Sequence, residues 1–285
     1  MKWITALGAI ALLGSRAVAQ GTGDCFPAKS SNEARMMAKF DVPLAFGAVD
    51  APARRSAGHL AVGLELTYVP GIDPLLAIST ECRPGKLRPE NTDLVPLVPR
   101  PRIAVGLPWG LGLEASWIPP FRISEARANL IGVSLSRTTA MSHGGVLLRI
   151  RAHGAFGVIH GPITCDDAAL QDATSECYQG TRSDDAFRPN VFGVEAAVGW
   201  QLGKSLRPYL GAGYNRLAPR FRVNFTNQFD QVDRRRVTVN LDRGVLFAGA
   251  TWRATQRLEL SGELYSPPTD AVTVRVAGRV LLGKR

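Results

Sequence analysis

Apolar residues recur at every second position through most of this chain. Leu60, Val62, Leu64, Leu66 and Tyr68 alternate with Ala61, Gly63, Glu65 and Thr67. Ile103, Val105 and Leu107 alternate with Ala104 and Gly106, and beyond Pro108-Trp109-Gly110 the pattern resumes at Leu111, Leu113, Ala115 and Trp117. The same period runs through 146–158, 192–202, 258–264 and 272–282. Successive side chains of a strand point to opposite faces, so period two predicts strands with one apolar face. Segments 128–137, 207–219 and 243–254 are less regular strands, and residues 129–130 read as a slip of the kind a β-bulge makes.

Ten strands result, at 57–69, 101–108, 111–118, 128–138, 144–158, 190–202, 207–219, 243–254, 256–266 and 271–283. Several carry five to seven apolar positions on one face. That exceeds the usual soluble strand of about 5–6 residues and suits a tilted membrane strand of about 9–11. The opposite face mixes charge with glycine, as strands around a narrow interior require. Turns at 108–110, 139–144, 203–206 and 254–256 are short, whereas connections 70–100, 119–127, 159–189 and 220–240 are long. Such alternation is that of barrels with short periplasmic turns and longer outer loops. The expected fold is an all-β, antiparallel, up-and-down transmembrane β-barrel of about ten strands, within a range of 8–12.

The N-terminus sets the compartment. Lys2, the apolar run Ile4–Leu13 and the small-x-small site Ala17-Val18-Ala19 read as a cleaved signal peptide over 1–19. Cys25 follows Thr22-Gly23-Asp24, which is not a lipoprotein context. No later run of 18 apolar residues exists to make a membrane helix. The domain division is therefore signal peptide 1–19, N-terminal segment 20–56 and barrel 57–285. Phe40, Val42, Leu44, Phe46 and Ala48 also alternate, which leaves an extra strand open at 38–48.

The net charge of +10 falls to +8 once Lys2 and Arg16 leave with the signal. In an exported chain the basic balance points to outer-membrane lipid and lipopolysaccharide phosphates as partners, not to nucleic acid. Arg234-Arg235-Arg236 is the densest cationic cluster, in an outer loop. Four cysteines in such a chain predict disulfides. Cys165 and Cys177 are the natural pair. A Cys25–Cys82 bond would oblige the N-terminal segment to thread the lumen or reach the outer face, with three connectivities formally possible.

Candidate chemistry sits on the inward face. Glu65, Glu114, Glu195, Glu259 and Glu263 are expected inside, with Arg149, Arg151, His153, Arg257, Arg275 and Arg279. Confined charges must pair or stay wet. They either form a network that fills the barrel, which ten strands favour, or line a pore with an anion preference. Tyr68, Trp109, Trp117, Trp200, Tyr209, Trp252 and Tyr265 fall near strand ends and are expected as an interfacial aromatic girdle. His160 near Asp166, Asp167, Asp184 and Asp185 is the best arrangement for a rim hydrolase. His59, His143 and His153 have no partnered spacing. Asp166-Asp167 and Asp184-Asp185 lack the glycine and distal acid of a calcium loop. No catalytic residue, metal or cofactor is assigned.

Arg207-Pro208-Tyr209-Leu210-Gly211-Ala212-Gly213-Tyr214 is similar to a recurrent strand opening in small bacterial outer-membrane barrels of the OmpA-like and OmpW-like kind. The resemblance covers 57–285. It implies insertion by the barrel assembly machinery, which reads an aromatic last residue. This chain departs there, ending Val280-Leu281-Leu282-Gly283-Lys284-Arg285. The leading expectation is a non-enzymatic barrel, structural or a passive small-solute pore. A rim enzyme acting on lipid or peptide and a soluble periplasmic barrel binding a small ligand are the alternatives.

Overall fold

The computed structural model describes residues 23–78, 80–92, 96–123, 125–141, 145–268 and 270–283. The signal peptide 1–19 and His143 lie outside these residues. Ten antiparallel strands close on themselves. They are β1 (Leu60–Tyr68), β2 (Leu97–Gly106), β3 (Leu111–Ile118), β4 (Ala126–Ala140), β5 (Leu147–Gly161), β6 (Asn190–Gly199), β7 (Leu206–Leu217), β8 (Leu241–Arg253), β9 (Leu258–Ser266) and β10 (Thr273–Leu282). Each pairs with its chain neighbours, and β10 pairs with β1 from Val274↔Tyr68 to Leu282↔Leu60. This pairing closes the ring, the arrangement a hydrocarbon environment demands of spanning strands.

The alternation is turned outward. On β4, Ile131, Val133 and Leu135 are 51%, 42% and 51% exposed, while Ser134 and Thr138 on the opposite face are buried. The same inversion holds for Val62, Leu64 and Leu66 on β1 and for Val194 and Leu210 on β6 and β7. A water-soluble barrel would bury these residues, whereas a barrel in lipid presents them. No bulge exists at 129–130. The β4–β5 ladder runs unbroken from Arg127↔His160 to Ala140↔Leu147. The apparent slip arises because inward Leu130 is apolar, where most inward positions are polar, and packs in the core near the N-terminal segment.

At one end the connections are tight. Between β2 and β3, Pro108–Gly110 form a single turn in which Trp109 and Gly110 take φ of 60° and 73°. At the other end they are long, and one side of the wall continues upward. Asp185–Arg188 pairs with the end of β5, Arg220–Arg222 pairs with it in turn, then Arg236–Thr238, and Asp24–Cys25 lies parallel at the edge.

The segment before the barrel is not an extra strand. Asn32–Leu44 is a helix, α1, capped by the Ser31 hydroxyl, which accepts from the Ala34 N–H at 3.1 Å. Its buried apolar residues Ala34, Met37, Ala38 and Val42 fall at i, i+3, i+4 and i+8, a helical stripe that begins before the alternating set at 38–48 and takes precedence over it. Pro43 closes the last turn, and residues 45–50 run down the barrel axis, with Phe46 and Val49 fully buried. The helix sits in the long-loop mouth, where Phe40 meets Phe187 at 5.7 Å between ring centres. Cys25 bonds Cys82 and Cys165 bonds Cys177. Threading of the lumen is thus how Cys25 reaches a long-loop cysteine.

Candidate functional site

Ten of the expected lumen residues do point inward. Glu65 takes Arg102 at 2.6 Å and the Thr67 hydroxyl at 2.7 Å. Glu114 lies 2.9 Å from Arg279 and 3.0 Å from the Arg102 Nε. Glu195 is 3.1 Å from Arg151 and 3.3 Å from the His153 Nε2, and accepts from the Tyr265 hydroxyl at 3.2 Å. Glu263 is 3.5 Å from Arg275 and accepts from the Tyr209 hydroxyl at 3.0 Å. Glu259 is 2.5 Å from Arg207.

Three expectations are corrected. Arg257 is exposed at the short turn before β9, one residue outside the strand, so the alternation did not reach it. Tyr209 and Tyr265 are not girdle residues but are buried inside the barrel, because inward carboxylates offer their hydroxyls partners. Tyr68, Trp109, Trp117, Trp200 and Trp252 do lie exposed near strand ends.

The sequence reading missed Arg100, Arg102 and Arg207. Arg100 falls outside the expected strand 101–108, and Arg102 lies within it at an inward position that was not singled out. β2 pairs with β3 only from Arg102 onward, so Pro99 and Pro101 stand where the strand has one partner and a missing N–H is tolerated. The alternation Val98-Arg100-Arg102 was the available signal.

The centre of the lumen is the chain's own N-terminal segment. Arg275 donates to the Val42 carbonyl at 3.3 Å and Arg100 to Leu44 at 3.0 Å. Arg102 and Arg151 both donate to Gly47, at 2.7 and 3.4 Å. Arg279 donates to Ala48 at 2.9 Å and Arg149 to Asp50 at 2.6 Å. The Asp50 carboxylate also takes Arg149, Arg279 and Arg55 at 2.7, 2.6 and 2.8 Å. Arg100, Arg102 and Arg151 surround the Phe46 ring at 5.7, 4.4 and 5.0 Å, within cation–π range. The inward arginines Arg100, Arg102, Arg149, Arg151, Arg207, Arg275 and Arg279 thus meet five inward glutamates, Asp50 and a ladder of plug carbonyls. Every partner is needed, because an unpaired charge in so confined a space is costly.

Above the plug, α1 and the wall enclose a cavity of about 80 Å³ lined by Met36, Met37, Phe40, Val98 and Phe187, among others. The long loops are organised by Asp185, which accepts from the Thr164 and Asn224 N–H groups and the Ser183 hydroxyl at 2.6, 2.9 and 2.8 Å. Burial still pushes its carboxyl up to about 6. Burial likewise raises Glu33, although it accepts from Thr80 and from the Cys82 N–H. His160 lies 3.4 Å from Asp184 at the rim, and the neighbouring Ser183 hydroxyl is committed to Asp185. Of the arginine cluster, Arg235 turns inward to the Cys82 carbonyl, while Arg234 and Arg236 are exposed. No metal cluster of three or more His, Cys, Asp or Glu exists among the described residues.

No family model and no curated protein matches the chain. Among solved structures, Ail of Yersinia pestis aligns over 79% of this chain and 99% of its own, at 10% identity and TM-score 0.29. The β-domain of the Bordetella autotransporter BrkA aligns over 79% and 99%, at 11% identity and TM-score 0.36. A de novo designed transmembrane β-barrel aligns over 81% and 100%, at 13% identity and TM-score 0.26. Likeness at this level carries no functional information, and the assignment of architecture rests on the chain's own geometry. Closed, antiparallel, ten-stranded and apolar on its outside, the chain has the fold of an outer-membrane β-barrel.

Proposed function

We propose that the protein is a non-enzymatic barrel of the bacterial outer membrane whose role is structural and whose lumen is sealed in its resting state. The observation that supports this over a passive pore is the occupied axis. Residues 45–50 lie where a solute would pass, and six wall arginines hold the carbonyls from Val42 to Asp50. Displacing the segment would strip those arginines of acceptors in a confined space, a cost of several kcal/mol for each charge left unpaired.

In this reading the short turns face the periplasm and the long loops the exterior. The signal peptide is removed, the new N-terminus emerges at the outer mouth, and the barrel assembly machinery inserts the chain. Outer-leaflet lipid and lipopolysaccharide surround it. The test is conductance and fractionation of the mature protein. Recovery in the outer membrane with heat-modifiable gel migration, together with a silent planar bilayer, is expected. A steady ohmic conductance from the intact protein would sink the sealed-barrel reading.

A further inference from the structure

On one half of the barrel the outward face changes from apolar to arginine as it leaves the lipid-exposed band. On β4 the outward sequence runs Leu135, Val133, Ile131, Asn129, Arg127. Above β7 the outward alternation continues through Ala218 to Arg220 and Arg222, with Pro219 and Phe221 inward. Above β6 it reaches Arg188, and above β8 it reaches Arg236.

These arginines are neighbours. Arg220 stands directly opposite Arg188, and Arg222 opposite Arg236. Arg122 stands opposite Arg127 in the small hairpin beyond β3. Paired strands are about 4.8 Å apart, and like charges facing each other across a ladder are destabilising. Among the described residues, none of the six makes an ion pair or a side-chain hydrogen bond, and all six are exposed. Asp24, in register with Arg236 at the edge, does not pair with it. Among the described residues, the other half of the barrel has no such feature. Its outward residues at the same end are Tyr68, Leu97, Leu264 and Val274, all exposed and uncharged.

We propose that this one-sided arginine wall binds the phosphates of outer-leaflet lipopolysaccharide. The chemistry follows from the register. A phosphate between two guanidiniums on adjacent strands accepts charge-assisted hydrogen bonds from both and converts their mutual repulsion into attraction. The wall begins about four residues, or roughly 13 Å of strand, above the last apolar outward residue of β4 and continues upward. That span suits a glycolipid carrying phosphate at its membrane surface and in the sugars above it, more than a flat phospholipid headgroup.

The inference rests on the proposed orientation in the outer membrane. The test uses the mature full-length protein in phosphatidylcholine nanodiscs, titrated with lipopolysaccharide, with dephosphorylated lipopolysaccharide and with dextran sulfate as a soluble polyanion. The expected result is binding of the phosphorylated form, weakened about tenfold or more by dephosphorylation and by the R188Q/R220Q/R222Q variant. Heat-modifiable migration checks that the variant is folded, and R127Q/R236Q serves as an independent second variant. Equal binding of the dephosphorylated form, or unchanged binding by both variants, overturns the proposal. So does dextran sulfate binding that the variants abolish while lipopolysaccharide binding persists, which would assign the wall to a soluble polyanion. A protein that inserts in membranes yet ignores phosphate refutes only the wall. One that fails to fractionate with the outer membrane refutes the orientation.

Discussion

Arg102 donates to the Gly47 carbonyl at 2.7 Å while its other terminal nitrogen lies 2.6 Å from Glu65. One wall side chain thereby ties the axial segment to the strand ladder. The relation explains why an arginine-rich interior is stable here. The inward guanidiniums have more donors than the glutamates can accept, and the plug backbone supplies further acceptors.

Gly47 is therefore the position at which to open the barrel. A Cβ there would overlap the Arg275 guanidinium, which is itself fully buried and tied to Val42 and Glu263. Gly47→Leu is expected to displace the plug and leave the strands paired. Planar-bilayer recordings should show conductance from this variant and none from the parent, with circular dichroism unchanged. A silent, folded Gly47→Leu protein would mean that the segment does not form the seal.

The Cys25–Cys82 bond spans 57 residues of sequence. Closing a loop of that size is worth up to about 4 kcal/mol against the unfolded chain. Cys25→Ser/Cys82→Ser should lower the urea midpoint accordingly. Conductance should stay silent, because the tether lies above α1 while the arginines hold residues 42–50 below it. Channel activity in the reduced or double-Ser protein would show the disulfide, not the arginine ladder, to be the latch.

Asp185 makes loop stability depend on pH. Its folded value of about 6 lies above the ordinary 3.8, so the folded loops bind a proton more tightly than the unfolded ones. The resulting stabilisation is complete below pH 3.8 and is lost as pH rises through 6, amounting to about 3 kcal/mol at most. Hydrogen exchange of the Thr164 and Asn224 amides, corrected for intrinsic rates, should report a smaller opening free energy at pH 7.5 than at pH 4.5. Asp185→Asn should remove most of that dependence. Rising stability over the same range would reverse the assignment.

Val133 lies outward on β4 within the apolar band. Val133→Arg should destabilise the barrel by about 2–4 kcal/mol if that position is near the bilayer midplane. Reversible folding into lipid vesicles measures it directly. The same exchange at the exposed Trp109 on the short-turn end should cost about 0–1 kcal/mol. Equal costs at both sites would argue against a lipid-facing band.

Much of the barrel was legible from period two alone. The ten strands, the long and short connections and the inward positions of Glu65, Glu114, Glu195, Arg149 and Arg279 all follow from alternation, because a strand has only two faces and each residue must take one. What lies inside was less legible. At 38–48 the alternating residues overlap the end of a helical stripe at Ala34, Met37, Ala38 and Val42, and the packing of α1 in the mouth follows the helical stripe. Tyr209 and Tyr265 sit near strand ends, yet the two-residue spacing from inward Arg207 and Glu263 already placed them inside, and only their hydroxyl partners on other strands were beyond the sequence. Local sequence determined which residues share a face. The tertiary structure alone decided that the lumen is filled by the chain's own backbone, because the contacts joining Arg102 to Gly47 and Arg279 to Asp50 link positions 55 and 229 residues apart and leave no periodic trace.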